Sequence, residues 1–233
     1  MITRERIVPL AILLLVLVVI GIIAVFGGWG GFLPSPAGPV APSLPVSVEA
    51  DSVDGLNDDR LISVQGKLEF DRPAVDDELG VSDPGAVVLL RHVEMYQWQE
   101  TCIADSCTQA LGWTSELLDA AQFNEQLGHA NPGQFPFAST SFIAEGIRLG
   151  AFVPSLDLIT AEVPMLPKSV QLLELPANLA ASFSEIDGGI FAGNDALHPV
   201  VGDLRITYRM VSTGTVTLVG KQAGNRLIAV PAE

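Results

Sequence analysis

The sequence has 233 residues and a formal net charge of −15, from 27 acidic and 12 basic side chains. An acidic chain repels phosphate backbones and anionic headgroups, so the composition argues against binding to nucleic acid and against electrostatic binding to lipid. Two cysteines, Cys102 and Cys107, are too few for a four-thiolate zinc site and wrongly spaced for a Cys-x-x-Cys redox motif. We therefore predict no cofactor.

An uncharged apolar run occupies residues 7–26. About 20 helical residues span the ~30 Å hydrocarbon core of a bilayer, so we predict a transmembrane helix there. A cleaved signal peptide is the alternative, although this run exceeds the ~7–15 residues of a signal core and lacks a small-x-small cleavage site. Because Arg4 and Arg6 precede the run and the next basic residue is Arg60, the positive-inside rule places residues 1–6 in the cytoplasm.

The chain after the predicted anchor divides into a linker and a domain. Residues 27–45 are rich in glycine and proline and show no apolar period, which is typical of an extended linker. Residues 46–233 then form one domain, which the anchor holds outside the cytoplasm.

Strand patterns predominate in this domain. Apolar and polar residues alternate from Ile62 to Phe70 and from Leu204 to Met210, and another strand begins at Val216. A bulge or a close approach of two backbones would explain Gly66 inside the first of these strands. We expect an α+β, β-rich fold with a mostly antiparallel sheet.

One segment predicts a helix. Residues 115–127 follow a capping Thr114 or Ser115, carry acidic residues early, and stop at Gly128. Residues 163–190 show no clear period, and no element is predicted there.

Residues 87–100 predict a long strand with two unlike faces. One face carries Leu89, Arg91, Val93, Met95 and Gln97. The other carries Leu90, His92, Glu94, Tyr96, Trp98 and Glu100. A row that combines a histidine, two acids and two aromatics is either a binding surface or a polar network between strands that another element covers.

The two cysteines flank Asp105 at the tip of a predicted hairpin. In an oxidising compartment a short-loop disulfide between Cys102 and Cys107 is expected, and two free thiols are the alternative.

The sharpest enzymatic hypothesis is a metal site built from His92, Glu94 and His129. Two histidines and one carboxylate leave a coordination position open for water, as hydrolytic zinc requires. The pattern lacks HExxH-like spacing, however, and a histidine at a helix end often interacts only with terminal carbonyls. With no G-x-S-x-G elbow either, we predict no catalytic residues and no enzyme.

Charged and aromatic residues of the predicted sheet also have a structural interpretation. Oppositely charged side chains are commonly paired across strands, so Arg91 or Arg205 would pair with Asp203 or Glu94 and fix the register. The alternative is a ligand site that contains these charges and Glu100.

Several segments resemble one known family. They are LRHVEMYQWQE at 90–100, Trp113 with Ser115, Glu116 and Phe123, GHANP at 128–132, IRLGAFVPS at 147–155, and PVVGDLRITY at 199–208. In this order and spacing they resemble the transmembrane protein 43 (LUMA) family. The matched motifs contain the residues that we expect to serve in interactions: Arg91, His92, Glu94, Tyr96, Trp98, Glu100, Gly202, Asp203 and Arg205.

This resemblance implies a membrane protein with a large non-cytoplasmic domain that acts as a scaffold for other membrane proteins and for itself. It supplies no catalytic residues. Relatives end in further transmembrane helices, whereas this sequence ends at Glu233, so we expect a prokaryotic-type member or a short form, with a chain cut before those helices as the alternative. The expected location is a bacterial inner membrane with the domain in the periplasm, and the alternative is the lumen of the endoplasmic reticulum and inner nuclear membrane.

Two functions follow from the sequence. The first is a membrane-anchored extracytoplasmic scaffold that contacts the bilayer through residues 7–26, other membrane proteins and a second copy of itself. The alternative is a membrane-bound hydrolase or ligand-binding domain centred on His92, Glu94 and His129.

Overall fold

Two β-sheets form the framework of residues 44–230, the part of the chain that the computed structural model describes. In chain order the strands are β1 (Val46–Glu49), β2 (Leu61–Glu69), β3 (Val75–Asp76), β4 (Val81–Ser82), β5 (Ala86–Ile103), β6 (Ser106–Thr114), β7 (Thr140–Ile143), β8 (Arg148–Leu149), β9 (Val153–Pro154), β10 (Leu166–Lys168), β11 (Ser184–Ile186), β12 (Gly189–Ala192), β13 (Leu204–Ser212), β14 (Thr215–Ala223) and β15 (Arg226–Ile228).

The first sheet has the order β1-β2-β14-β15-β9, with β8 paired to β2. The second has the order β11-β12-β13-β5-β6, with β7 paired to β5 and β10 to β13, and β3 and β4 form a separate hairpin. Pairing in residues 44–230 is antiparallel except between β1 and β2 and between β9 and β15. The prediction of a β-rich, mostly antiparallel fold is confirmed.

Helices are short in this part of the chain. They are α1 (Leu156–Glu162) and α2 (Ala177–Ala180), with 3-10 turns at Gly55–Asn57, Ala120–Gln122 and Leu172–Glu174. None of the helices between residues 44 and 230 is long and apolar enough to cross a membrane. The helix predicted at residues 7–26 lies outside the described residues.

The helix predicted at residues 115–127 is wrong. Only the turn Ala120–Gln122 is helical there, and it is of the 3-10 type. Groups that a helix would pair internally bond to the neighbouring hairpin instead: the Leu118 N–H donates to Gln97 Oε1 at 3.2 Å, and the Asn124 N–H donates to Glu100 at 2.9 Å. Tertiary hydrogen bonds have therefore overridden local helix propensity.

Alternating burial explains which face of β2 packs against the core. Ile62, Val64 and Leu68 are fully buried and contribute to the core of the first sheet. An added Cβ at Gly66 would lie 3.0 Å from Ala50 Cβ and 3.1 Å from a Leu149 methyl group. Since the pairing of β2 with β14 is continuous, Gly66 marks a close approach and not a bulge.

The prediction of two unlike faces for β5 is confirmed. All five residues of the first predicted face are at most 2% exposed, namely Leu89, Arg91, Val93, Met95 and Gln97. Residues of the other face are half-buried from Leu90 to Glu100. Strand β5 therefore contributes buried side chains to the core of the second sheet on one face and presents half-buried side chains on the other.

A buried ionic network crosses this core. Arg91 Nη1 donates to Asp76 Oδ2 at 2.8 Å, and Tyr208, the residue opposite Arg91 on β13, donates its hydroxyl to the same oxygen at 2.6 Å. Arg91 also bonds the carboxylate of Glu78 and the carbonyl of Ala138. Burial and the hydrogen bond to Asp76 raise the pKa of Tyr208, so the phenol stays protonated and donates.

The Arg91–Asp76 pair should dominate stability. We expect Arg91→Ala to lower the free energy of unfolding by about 3–5 kcal/mol, because it leaves a buried carboxylate without its counter-charge. Tyr208→Phe, which removes one bond, should cost about 1–3 kcal/mol. Denaturation of the full chain in detergent, followed by tryptophan fluorescence, measures both.

Arg72→Ala is the matched control, because it removes an arginine from an ion pair with Glu145 that is 75% and 61% exposed. Its cost should stay below about 1 kcal/mol. Equal losses for Arg72→Ala and Arg91→Ala would contradict the role given to the buried network.

Candidate functional site on the β5–β6 hairpin

The hairpin of β5 and β6 extends beyond the rest of its sheet. The two strands pair continuously from Met95 and Thr114 to Ile103 and Ser106. Strand β13 pairs with β5 only as far as Met95, so residues 97–112 continue without it. We call residues 97–112 the hairpin arm. Ile103, at its tip, is 78% exposed.

The segment after β6 supports one edge of the arm where β13 no longer reaches. Asn131 accepts from the Trp98 N–H at 2.8 Å and donates to the Trp98 carbonyl at 2.9 Å, replacing a neighbouring strand. The Gln97 amide donates to the carbonyl of Glu116 at 3.0 Å. His129 packs edge-on against Trp98 with ring centroids 4.5 Å apart. The arm is thus held in a fixed position.

A second set of bonds holds the outer half of the arm. Both carboxylate oxygens of Glu100 accept from Asn124, and Oε2 also accepts from the Gln109 amide at 2.6 Å. Burial alone would raise the pKa of Glu100, but these hydrogen bonds outweigh it and lower that pKa. A disulfide joins Cys102 to Cys107, which lie directly opposite each other, and Asn124 contacts the Cys107 sulfur at 3.0 Å.

A charged and aromatic ladder lies at the base of the arm. Glu94, Arg205 and Phe191 are direct neighbours across β5, β13 and β12, and Tyr96 lies opposite Trp113 of β6. Two guanidinium nitrogens of Arg205 donate hydrogen bonds to the Glu94 carboxylate, one of them over 2.8 Å. The guanidinium carbon of Arg205 lies 4.9 Å from the Trp113 ring centroid. The hydrogen bond from Arg205 lowers the pKa of Glu94. The row on β5 is therefore a polar network between strands.

The three residues of the metal hypothesis do not meet. His92 Nε2 is 3.8 Å from Glu94 Oε2, but Arg205 already holds both oxygens of that carboxylate. His129 packs on Trp98, with Nδ1 3.0 Å from the carbonyl of Glu125. Within residues 44–230, one group of acidic, histidine or cysteine side chains has its ligand atoms close enough together to hold a metal ion. It consists of Glu100, Cys102 and Cys107, and the two cysteine sulfurs are already joined in the disulfide.

The other predicted residues have structural positions. Of the pairings predicted across strands, the structure contains the one between Arg205 and Glu94, whereas Arg91 pairs with Asp76 in the core. Asp203 accepts from the Val200 N–H at 2.8 Å and closes the turn before β13. Gly202, with φ at 98°, donates its N–H to the Tyr96 carbonyl at 2.9 Å.

Several contact residues had no distinctive pattern in the sequence. Asn124 and Asp76 lie in irregular or very short segments, and their partners are distant in the chain. Trp113 and Asn131 fall inside segments that resemble the transmembrane protein 43 family, and that resemblance is the sequence signal that could have identified them as site residues. Tyr208 stands on the apolar face of an alternating strand, which predicts its burial and not its partner.

The residues from 44 to 230 thus define a β-sheet domain whose distinctive feature is a projecting, braced hairpin. The family model described as transmembrane protein 43 matches residues 95–230. The chain belongs to the transmembrane protein 43 family.

Curated relatives share this similarity at low identity. Transmembrane protein 43 of Rattus norvegicus is 28% identical over an alignment of 214 residues, and the match covers 81% of this chain and 52% of that protein. The Homo sapiens protein is 27% identical over the same shares, and the Drosophila melanogaster homolog is 27% identical over 72% of this chain and 48% of its own. The chain spans about half the length of these relatives. No solved structure matches it.

The Glu94–Arg205 pair should make stability depend on acid pH. A lowered folded pKa means that its contribution is complete above the ordinary value of 4.5 and is lost as pH falls through the folded value. We expect Glu94→Gln to reduce the free energy of unfolding by about 1–2 kcal/mol at neutral pH, with a smaller reduction in acid. Urea denaturation across pH measures this.

Glu145→Gln is the control for this experiment, since Glu145 forms an exposed pair with Arg72. A difference between wild type and Glu94→Gln that stays constant through the acid range would contradict the role given to the carboxylate.

Proposed function

We propose that this protein is a membrane-anchored scaffold whose domain lies outside the cytoplasm and contacts other membrane proteins, and itself, through the hairpin arm. Residues 7–26 hold the domain at the bilayer. The proposed function consists of binding and positioning other membrane proteins, and it requires no catalytic residues. Membership of the transmembrane protein 43 family supports a membrane protein of this general kind.

The observation that carries the proposal is the exposed arm. Its tip residue Ile103 is 78% exposed and Leu111 is 39% exposed, although bonds from Asn131 and Asn124 hold the arm rigidly. A rigid element that presents apolar side chains loses little conformational entropy when it binds, so it suits protein contacts.

Two observations support a non-cytoplasmic location. Disulfides persist in oxidising compartments, and Cys102 is bonded to Cys107 on an exposed strand pair. Arg4 and Arg6 stand before the apolar run, which favours a cytoplasmic N-terminus. A bacterial periplasm is the compartment we propose, with the lumen of the endoplasmic reticulum and inner nuclear membrane as the eukaryotic counterpart.

The hydrolase alternative has lost its candidate site. His92, Glu94 and His129 do not share a position where one ion could touch all three, and Glu94 is neutralised by Arg205. A carboxylate already held by two guanidinium nitrogens is poorly placed to bind a metal or to take a proton from water. Scaffolding is therefore the better proposal.

A photocrosslinking residue at Ile103 of the full chain tests the scaffold function in native membranes. We expect irradiation to join the chain reproducibly to one or a few membrane proteins, and we expect Ile103→Asp to lose the same partners in a pull-down. The matched control is a photocrosslinker at Leu173, which is 93% exposed and lies in a 3-10 turn away from the arm.

Crosslinks of the same pattern from both positions, or none from Ile103, would contradict the proposal. Partners with only cytoplasmic domains would contradict the proposed side of the membrane.

A further inference from the structure

The hairpin arm and the segment that braces it carry acidic residues and no basic one. Between Arg91 and Arg148 the sequence contains no lysine or arginine, but it contains seven acids. Two of them are paired, Glu94 with Arg205 and Glu145 with Arg72. The other five form no ion pair within residues 44–230: Glu100, Asp105, Glu116, Asp119 and Glu125. This part of the domain therefore presents uncompensated negative charge.

Two of these acids line a cavity beside the outer half of β6. The cavity has a volume of about 570 Å³, and Asp105 and Glu125 line it together with Cys107 and Gln109 of β6. Glu100 accepts a hydrogen bond from the Gln109 amide at 2.6 Å, so a third carboxylate lies next to the cavity. We call it the acidic cavity. Its charge suits the side chain of a lysine or an arginine.

The strand that borders the acidic cavity is an unprotected sheet edge. Strand β6 ends the strand order of the second sheet, and its nine residues, SCTQALGWT, include no charge and no proline. Sheets usually block their edges with charge, proline, bulges or very short strands. The other terminal strands in residues 44–230 are short, and they end in Glu49 (β1) or include Pro154 (β9) or Glu185 (β11).

The outer edge of β6 presents backbone groups to an additional strand. Tyr96 directs its N–H and carbonyl toward Asp203 and Gly202, on the β13 side. Because these directions alternate along paired strands, the residues opposite the even-numbered positions of β5 point their backbone groups outward: Cys107, Gln109, Leu111 and Trp113. The Gln99 amide reaches the Trp113 carbonyl only over 3.4 Å, and a backbone donor can replace so weak a bond.

We propose that β6 binds an extended segment of another membrane protein as an added antiparallel strand, and that lysine or arginine side chains of this segment occupy the acidic cavity. The inference rests on the proposed scaffold function, and it names the class of partner that the arm binds. Directly opposite residues of an antiparallel pair project to the same face. Residues of the added strand opposite Cys107 and Gln109 therefore extend beside the cavity, and a residue opposite Leu111 meets an apolar side chain.

Charge selects a basic occupant over an acidic one. The chain has a net charge of −15, so acidic segments are repelled and basic segments are attracted to the arm. Backbone hydrogen bonds along a sheet edge supply affinity, whereas pockets for alternate side chains supply specificity. Because one exposed ion pair contributes little, the preference requires several carboxylates in one place, as at the acidic cavity.

A peptide titration of the full chain in a non-ionic detergent tests this inference. The probe is a fluorescent synthetic peptide, TVTKTKT, blocked at both ends. Antiparallel pairing sets its valine opposite Leu111 and its lysines opposite Gln109 and Cys107. We expect saturable binding in fluorescence anisotropy. The peptide TVTETET should not bind, because its glutamates would face Asp105 and Glu125.

Backbone methylation of the peptide separates strand pairing from charge attraction. Methyl groups on the nitrogens of the valine and the first lysine remove two donors to β6 and keep both charges, so we expect binding about tenfold weaker. The matched control carries a methyl group on the threonine nitrogen between them, which points away from β6. It should bind like the unmodified peptide.

Changes in the chain test the same two parts of the site. Leu111→Pro removes an outward N–H and leaves the bonds to β5 in place, and Asp105→Asn combined with Glu125→Gln removes two charges of the acidic cavity. Each variant should bind TVTKTKT about tenfold more weakly. Glu162→Gln, at an exposed acid of α1, is the control and should bind normally. Tryptophan fluorescence checks that each variant is folded.

No saturable binding of TVTKTKT, equal binding of TVTETET, or equal binding of the two methylated peptides would overturn the inference. Unchanged affinity after loss of both Asp105 and Glu125 charges would overturn it too. A second copy that already fills the edge would block the peptide and so give the first of these results.

The photocrosslinks from Ile103 are measured independently of these titrations. Partners captured at Ile103 without peptide binding at β6 would overturn this inference alone, whereas absence of those partners would overturn the scaffold function.

Discussion

The ion pair between Arg91 and Asp76 is the constraint on which the second sheet depends. Arg91 is 2% exposed and Asp76 is fully buried, and Tyr208 completes the set from the neighbouring strand. Isolated buried charges are costly, so these groups are stable only when all are present and correctly aligned. A one-residue slip of β5 against β13 would expose Arg91 and bury His92, and the network therefore fixes the register.

That register determines the other face of the sheet. With Arg91 inward, Glu94 and Tyr96 face outward and meet Arg205 and Trp113, their direct neighbours. The contacts within this charged and aromatic ladder engage the polar groups that could otherwise have formed a reactive site. Beyond it β13 ends, and Asn131 takes over its hydrogen bonds to β5. The same constraint thus favours a structural role for the charged row and leaves the hairpin arm exposed for contacts.

The sequence predicted strands well where one face is buried. Alternation located β2 and β13 and assigned the inward face of β5, because period-two burial follows directly from strand geometry. It failed at residues 115–127, where helix signals were present but Gln97 and Glu100 bind the backbone. It also missed Asp76, whose bond to Tyr208 spans 132 residues, since no local pattern encodes such a partner. Distant polar contacts were the part that sequence could not supply.

Hydrogen exchange at β6 tests the central proposal most directly, namely that the hairpin arm is a contact element. The full chain would be compared in native membranes and after extraction into detergent, where its partners are diluted away. The account predicts that peptides covering Gln109 and Leu111 exchange markedly slower in membranes, while peptides covering β2 exchange alike in both states. Equal exchange of β6 in the two states would contradict it, because the arm would then be as open to solvent in the membrane as it is in detergent.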